Sequence, residues 1–221
     1  MTKVKICGLR SVENALMVTR TGADLIGLNF YPKSPRCVRP ELASEIVRRL
    51  RGEYGQSCPT LVGVFVNATA AEVRGLVERV GLDFAQLSGD EPVETVLALR
   101  DIAFKAIRPA DESAALADLE RLATAFPQCG DAPSILLDAF NPKLYGGTGE
   151  TASESIARVV KAMAPRLMLA GGLNPENVAE RVGRVKPWGV DVASGVEADR
   201  PGIKDEGKTR AFIEAVRAVK A

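Results

Sequence analysis

The chain has 221 residues, no histidine and four cysteines; 26% of it is charged, and 29 lysines and arginines nearly cancel 28 aspartates and glutamates. That length supports one large hydrophobic core, and the even charge balance leaves no global field to draw the chain to nucleic acid or an acidic membrane. Cys7, Cys37, Cys58 and Cys129 form no Cys-x-x-Cys pair and have no histidine beside them, which argues against a zinc site, a redox motif and, at this size, a disulfide framework.

The opening MTKVKICGLR has no uninterrupted apolar segment, and no later stretch approaches the roughly 18 apolar residues of a spanning helix. The expectation is a soluble, cytoplasmic protein whose partner is a small molecule, with no nucleic acid, membrane or metal involved. From the N-terminus onward, short apolar runs alternate with stretches of helical spacing. The pairs are 4–8 with 12–22, 24–30 with 41–52, 60–67 with 70–81, and 84–89 with 92–100. The second half continues with 103–107 and 115–126, 134–140 and 153–164, 166–173 and 174–185, and finally 189–196 and 208–220. Runs of period two and stretches of period 3.6 read as strands and helices, and Gly22, Gly52 and Gly81 stand where helix caps belong.

Strict alternation implies parallel strands with right-handed crossovers, and eight such units close into a (β/α)8 TIM barrel, here a single α/β domain over 1–221. The rival is an open doubly wound sheet. It usually carries Gly-x-Gly-x-x-Gly after its first strand, and CGLRSVEN has no such turn.

In such a barrel the chemistry belongs at the C-terminal ends of the strands, where loops vary without disturbing the packed interior. Reading each run to its end yields Cys7, Asn29, Asn67, Gln86 with Ser88, Arg108, Asp138, Gly171 with Gly172, and the stretch 191–195. Alternation puts Val4 and Ile6 under the helices and aims Lys3, Lys5 and Cys7 into the barrel. An inward lysine needs a carboxylate; Asp191, on the strand that closes the barrel, is the candidate for Lys5. The lysine charge is expected to favour the thiolate of Cys7. Cys7 reads otherwise as a small buried hydrophobe.

Asp138 ends an apolar strand, as a structural ion pair or cap on one reading and a catalytic acid on the other. Glycine-rich turns at 146–149, 170–177 and 193–197 let backbone N–H groups approach an anion. The last two, with Gly171, Gly172, Ser194 and Gly195, lie where barrels hold phosphate; each is otherwise a tight turn. YPKSPR stiffens a loop that presents Arg36, a fork suited to a carboxylate or a solvated surface arginine.

Together KICGL, GLNFYPKSPR, VGVFVN, LDFAQLSGDE, LLDA, YGGTG, AGGLNPENV, GVDVASGVE and PGIKD, in this order, resemble the phosphoribosylanthranilate isomerase family of tryptophan biosynthesis. The resemblance implies a cofactor-free barrel that performs an Amadori rearrangement of N-(5'-phosphoribosyl)anthranilate to 1-(o-carboxyphenylamino)-1-deoxyribulose 5-phosphate; the chain is expected to act as a monomer or a homodimer. It implies Cys7 as general base and Asp138 as general acid, Arg36 on the anthranilate carboxylate, and Gly172, Ser194 and Gly195 on the phosphate. Gly171 and Asp191 complete the expected substrate site.

The chain departs from the family in two places. Ser88 stands where QLHG has histidine, and Ala193 where DVSSG has serine. The sister isomerase of histidine biosynthesis is an alternative that Cys7 speaks against, since that family ends its first strand in aspartate. A barrel that binds a sugar phosphate without turnover is the non-enzymic alternative.

Overall fold

The apolar runs pair side by side in chain order. The computed structural model describes residues 1–139 and 153–219. In it β1 (Lys3–Cys7), β2 (Leu25–Asn29), β3 (Thr60–Phe65), β4 (Phe84–Leu87), β5 (Ala103–Ile107), β6 (Ile135–Leu137), β7 (Leu167–Leu169) and β8 (Gly189–Val192) form a closed barrel. Every strand is parallel to its neighbour, and β8 lies beside β1. The helices between them are α1 (Val12–Arg20), α2 (Pro40–Tyr54), α3 (Ala70–Val80), α4 (Val93–Ala98), α5 (Glu112–Leu122), α6 (Glu154–Met163) and α7 (Val178–Val185), and α8 (Glu206–Ala218) follows β8.

The period-two pattern divides the core in two. Outward residues such as Val4, Ile6, Ile26, Leu28 and Leu61 pack beneath the helices, whereas Leu25, Val62, Phe104, Ala106, Leu136, Met168 and Ala170 fill the barrel. Helices meet the outer layer with one apolar stripe; α3, for example, buries Val73, Val77 and Val80. Thr69 and Glu72 form a capping box at its start, and Gly81 closes it at φ 80°.

Gly52 is not a cap. It lies inside α2, which runs on to Tyr54 and ends at Gly55, because Tyr54 packs against the outer core and carries the helix past the glycine. Likewise α7 begins at Val178 rather than near residue 174. The Asn174 side chain accepts from the N–H groups of Glu176 and Asn177, so a turn outcompetes the helix there. Among the described residues no helix is long and apolar enough to cross a membrane.

Strand tilt makes residues at one height come from alternate strands. The register sets Lys5, Val62, Phe104 and Met168 at one level, Gly27, Gln86, Leu136 and Asp191 at the next, and Cys7, Val64, Ala106 and Ala170 above them. Lys5, fully buried, donates from Nζ to Asp191 Oδ1 at 2.9 Å across the β1–β8 seam. Removing one partner of such a pair strands a charge, while removing both need not. Asp191→Leu is expected to cost about 3–5 kcal/mol in urea unfolding, and Lys5→Met/Asp191→Leu to recover most of that loss; equal losses in both variants would contradict it.

Candidate active site

Cys7 ends β1 with its thiol turned inward and almost fully covered, 8% exposed. It sits opposite Gly27 in register, and a Cβ built on Gly27 would stand 2.6 Å from Cys7 Sγ. Only glycine leaves room for the thiol. Burial pushes the Cys7 pKa above its ordinary value of 9.0, overcoming the opposing pull of Lys5 and Lys204, and Asp191 adds to the rise. Lys5 does pull toward the thiolate, as expected, but desolvation outweighs the nearby cations, and the resting group is a thiol. Burial also acts to deprotonate Lys5, but its partners, Asp191 foremost, more than offset it, so the lysine keeps its charge.

Asp138 follows β6 at the same end of the barrel. Burial is the main cause of its pKa rising from 3.8 to about 6, against a hydrogen bond from Ala139 N–H at 2.9 Å; Asp191 contributes to the rise. Gly171, at φ 84°, lets the β7 loop pass close by, since a Cβ there would lie 2.6 Å from Ala139 N and 3.0 Å from Asp138 Oδ1. Ser88, buried at the end of β4, accepts from Gln86 Nε2 at 3.0 Å. Arg108 donates to Ser88 O at 2.8 Å.

Arg36 is not a solvated surface arginine. Its Nε and Nη2 each donate at 2.7 Å to the two oxygens of Glu197. Glu197 also accepts from Lys204 Nζ at 2.9 Å and Gly202 N–H at 2.7 Å. Burial works to raise its pKa, but these partners hold it at about 2. Between β7 and α7 lie Gly171 and Gly172, both at positive φ, while Ser194 and Gly195 open a 3-10 turn after β8. The two loops touch closely: a Cβ on Gly195 would stand 2.0 Å from Leu173 O. No described residue accepts from the N–H groups of Gly172, Ser194 or Gly195.

Sequence reasoning missed two groups. Glu197 and Lys204 lie inside the motifs GVDVASGVE and PGIKD, but Arg36, which Glu197 binds, is 161 residues away from it along the chain. The other is Lys105, which faces outward from β5 and forms a buried ion pair with Glu91 at 3.1 Å. Glu91 accepts from the N–H groups of Asn67 and Gly89, so the pair pins the loops after β3 and β4 around Ser88. The turn at 146–149 lies outside the described residues. Among the described residues no three His, Cys, Asp or Glu side chains converge as a metal site requires.

A family model described as N-(5'phosphoribosyl)anthranilate (PRA) isomerase matches residues 4–215. The N-(5'-phosphoribosyl)anthranilate isomerase of Geotalea uraniireducens is 43% identical over 221 residues, covering 99% of this chain and all of its own. The crystal structure of phosphoribosyl anthranilate isomerase from Thermotoga maritima matches with a TM-score of 0.84 at 36% identity, over 98% of this chain and 99% of that one. A further structure of the enzyme, in complex with reduced 1-(o-carboxyphenylamino)-1-deoxyribulose 5-phosphate, matches with a TM-score of 0.81 at 35% identity and the same coverage.

The raised pKa of Asp138 carries a stability cost. The folded state binds this proton more tightly than the unfolded chain, so its contribution is most favourable below pH 3.8 and is lost as pH rises through about 6. Asp138→Asn is expected to stabilise the protein by about 3 kcal/mol at pH 7, the gain vanishing below pH 4 in chemical denaturation at both pH values. A gain that persists at low pH would show another cause.

Proposed function

The chain belongs to the N-(5'-phosphoribosyl)anthranilate isomerase family, and from that membership we propose that Cys7 and Asp138 divide the proton work of its reaction. The protein converts N-(5'-phosphoribosyl)anthranilate to 1-(o-carboxyphenylamino)-1-deoxyribulose 5-phosphate, a step of tryptophan biosynthesis. The observation that carries the division of roles is that the same barrel mouth holds a buried thiol and a carboxylic acid raised to about 6.

Asp138, protonated, delivers its proton to the ribose ring oxygen, and the ring opens to a Schiff base. That cation acidifies the sugar C2–H, and Cys7 as thiolate removes this proton to leave an enolamine, which tautomerises to the ketone. Arg36 takes the anthranilate carboxylate, while backbone N–H groups of Gly172, Ser194 and Gly195 take the phosphate on a turn shaped by Gly171. Asp191 belongs to the same site as the holder of Lys5. All these residues come from one chain, read as one domain over 1–221, so a monomer or a homodimer carries them. Its partner is the small phosphorylated substrate.

The two pKa values set an uncommon pH dependence. The active form pairs a protonated Asp138 with an ionised Cys7, yet the acid loses its proton more readily than the thiol. It is therefore a minority form whose population stays level between the two pKa values. The profile of kcat/KM should fall below about pH 6, stay flat through neutrality and fall again only above the ordinary thiol range. The thiolate absorbance of the free enzyme should rise only in that alkaline limb. Cys7→Ala and Asp138→Asn should each lose turnover by about a hundredfold or more; near wild-type rates in either would remove its assignment. Gly27→Ala should displace the thiol and lower kcat about tenfold or more while leaving affinity for the reduced product analogue nearly unchanged; an unaltered kcat would show that the thiol has room to spare.

A further inference from the structure

We propose that Glu197 is a positioning residue for carboxylate recognition: it closes one edge of the Arg36 guanidinium and leaves the other aimed for the substrate. The inference rests on the reading of Arg36 as the group that takes the anthranilate carboxylate. A guanidinium presents two edges that can each bind a carboxylate through paired N–H donors. Glu197 occupies the edge formed by Nε and Nη2, with both contacts at 2.7 Å. Among the described residues nothing accepts from Nη1, so the edge formed by Nη1 and Nη2 stays open.

Glu197 is itself immobilised. Its Oε1 accepts from Arg36 Nε, from Gly202 N–H at 2.7 Å and from Lys204 Nζ at 2.9 Å, and its Oε2 receives Arg36 Nη2. Lys204 has a fully buried side chain and donates also to Ala193 O at 2.9 Å. The stem of Arg36 lies against Gly8, where a Cβ would stand 2.6 Å from Arg36 Cδ. Arg36 is thus packed on the residue after Cys7 and clamped from the β8 loop.

Charge explains the third member. A carboxylate beside Arg36 would by itself cancel the field that attracts an anionic substrate. Lys204 restores it: two cations share one carboxylate, and the group keeps one net positive charge. Glu197 therefore fixes direction while Lys204 preserves attraction. The consequence is selective for substrates that carry the ring carboxylate.

The test uses two stable ligands: reduced 1-(o-carboxyphenylamino)-1-deoxyribulose 5-phosphate, and the same compound made from aniline, which lacks the carboxylate. Their Kd values are measured calorimetrically for wild type, Glu197→Gln, Glu197→Gln/Lys204→Met and Arg36→Met. Glu197→Gln is expected to weaken the carboxylated ligand about tenfold and the aniline ligand less than twofold. The double variant, which leaves no stranded buried cation, is expected to show the same selective loss and serves alone if the single variant does not fold. Equal weakening of both ligands, or no weakening of the carboxylated one, overturns the proposal while a selective loss in Arg36→Met leaves the Arg36 reading standing. If Arg36→Met itself does not discriminate between the ligands, the Arg36 reading fails, and the role of Glu197 with it.

Discussion

The first and last strands of the barrel meet at a buried charge. Lys5 on β1 and Asp191 on β8 lie opposite each other in register and bond across the seam at 2.9 Å. A lone ammonium at that depth would lose its proton or open the structure, so the pair ties closure of the barrel to the pairing of two residues 186 positions apart. Directly above the lysine on the same strand face stands Cys7. The ion pair is therefore at once a fold contact and the electrostatic floor of the site.

One physical cause, desolvation, acts on both proton carriers and serves them differently. It raises Asp138 into the range where a carboxylic acid can keep its proton near neutrality. It raises Cys7 as well, away from the ionised form a base needs, and Lys5 and Lys204 limit that rise without reversing it. The site thus holds a good acid and a reluctant base. A thiolate formed rarely in such surroundings is the stronger base for being formed at a higher pKa, which offsets part of its scarcity.

Much of this was legible residue by residue. Period-two alternation over residues 3–7 separated Val4 and Ile6 from Lys5 and Cys7, and the inward lysine called for a carboxylate that Asp191 supplies. Local signals that depend on neighbours in space were less secure. Gly52 looks like a cap until Tyr54 finds the core, and Asn174 looks helical until its side chain bonds the next turn. Arg36 was legible as a fork for a carboxylate, but Glu197 was not, because a bidentate contact spanning 161 residues leaves no periodic trace. The Lys105 and Glu91 pair was invisible for the same reason.

The sequence by itself determined the alternation of strands and helices, hence the barrel, and the kinds of side chain that reach its mouth, because both follow from periodicity within a few residues. Tertiary structure decided what those side chains are. Burial depth made Cys7 a thiol rather than a thiolate, the missing Cβ of Gly27 gave that thiol its space, and the two-pronged contact with Glu197 fixed the direction of the Arg36 guanidinium. Desolvation and contact both depend on what closes over a residue from distant parts of the chain, and that is settled only when the barrel is complete.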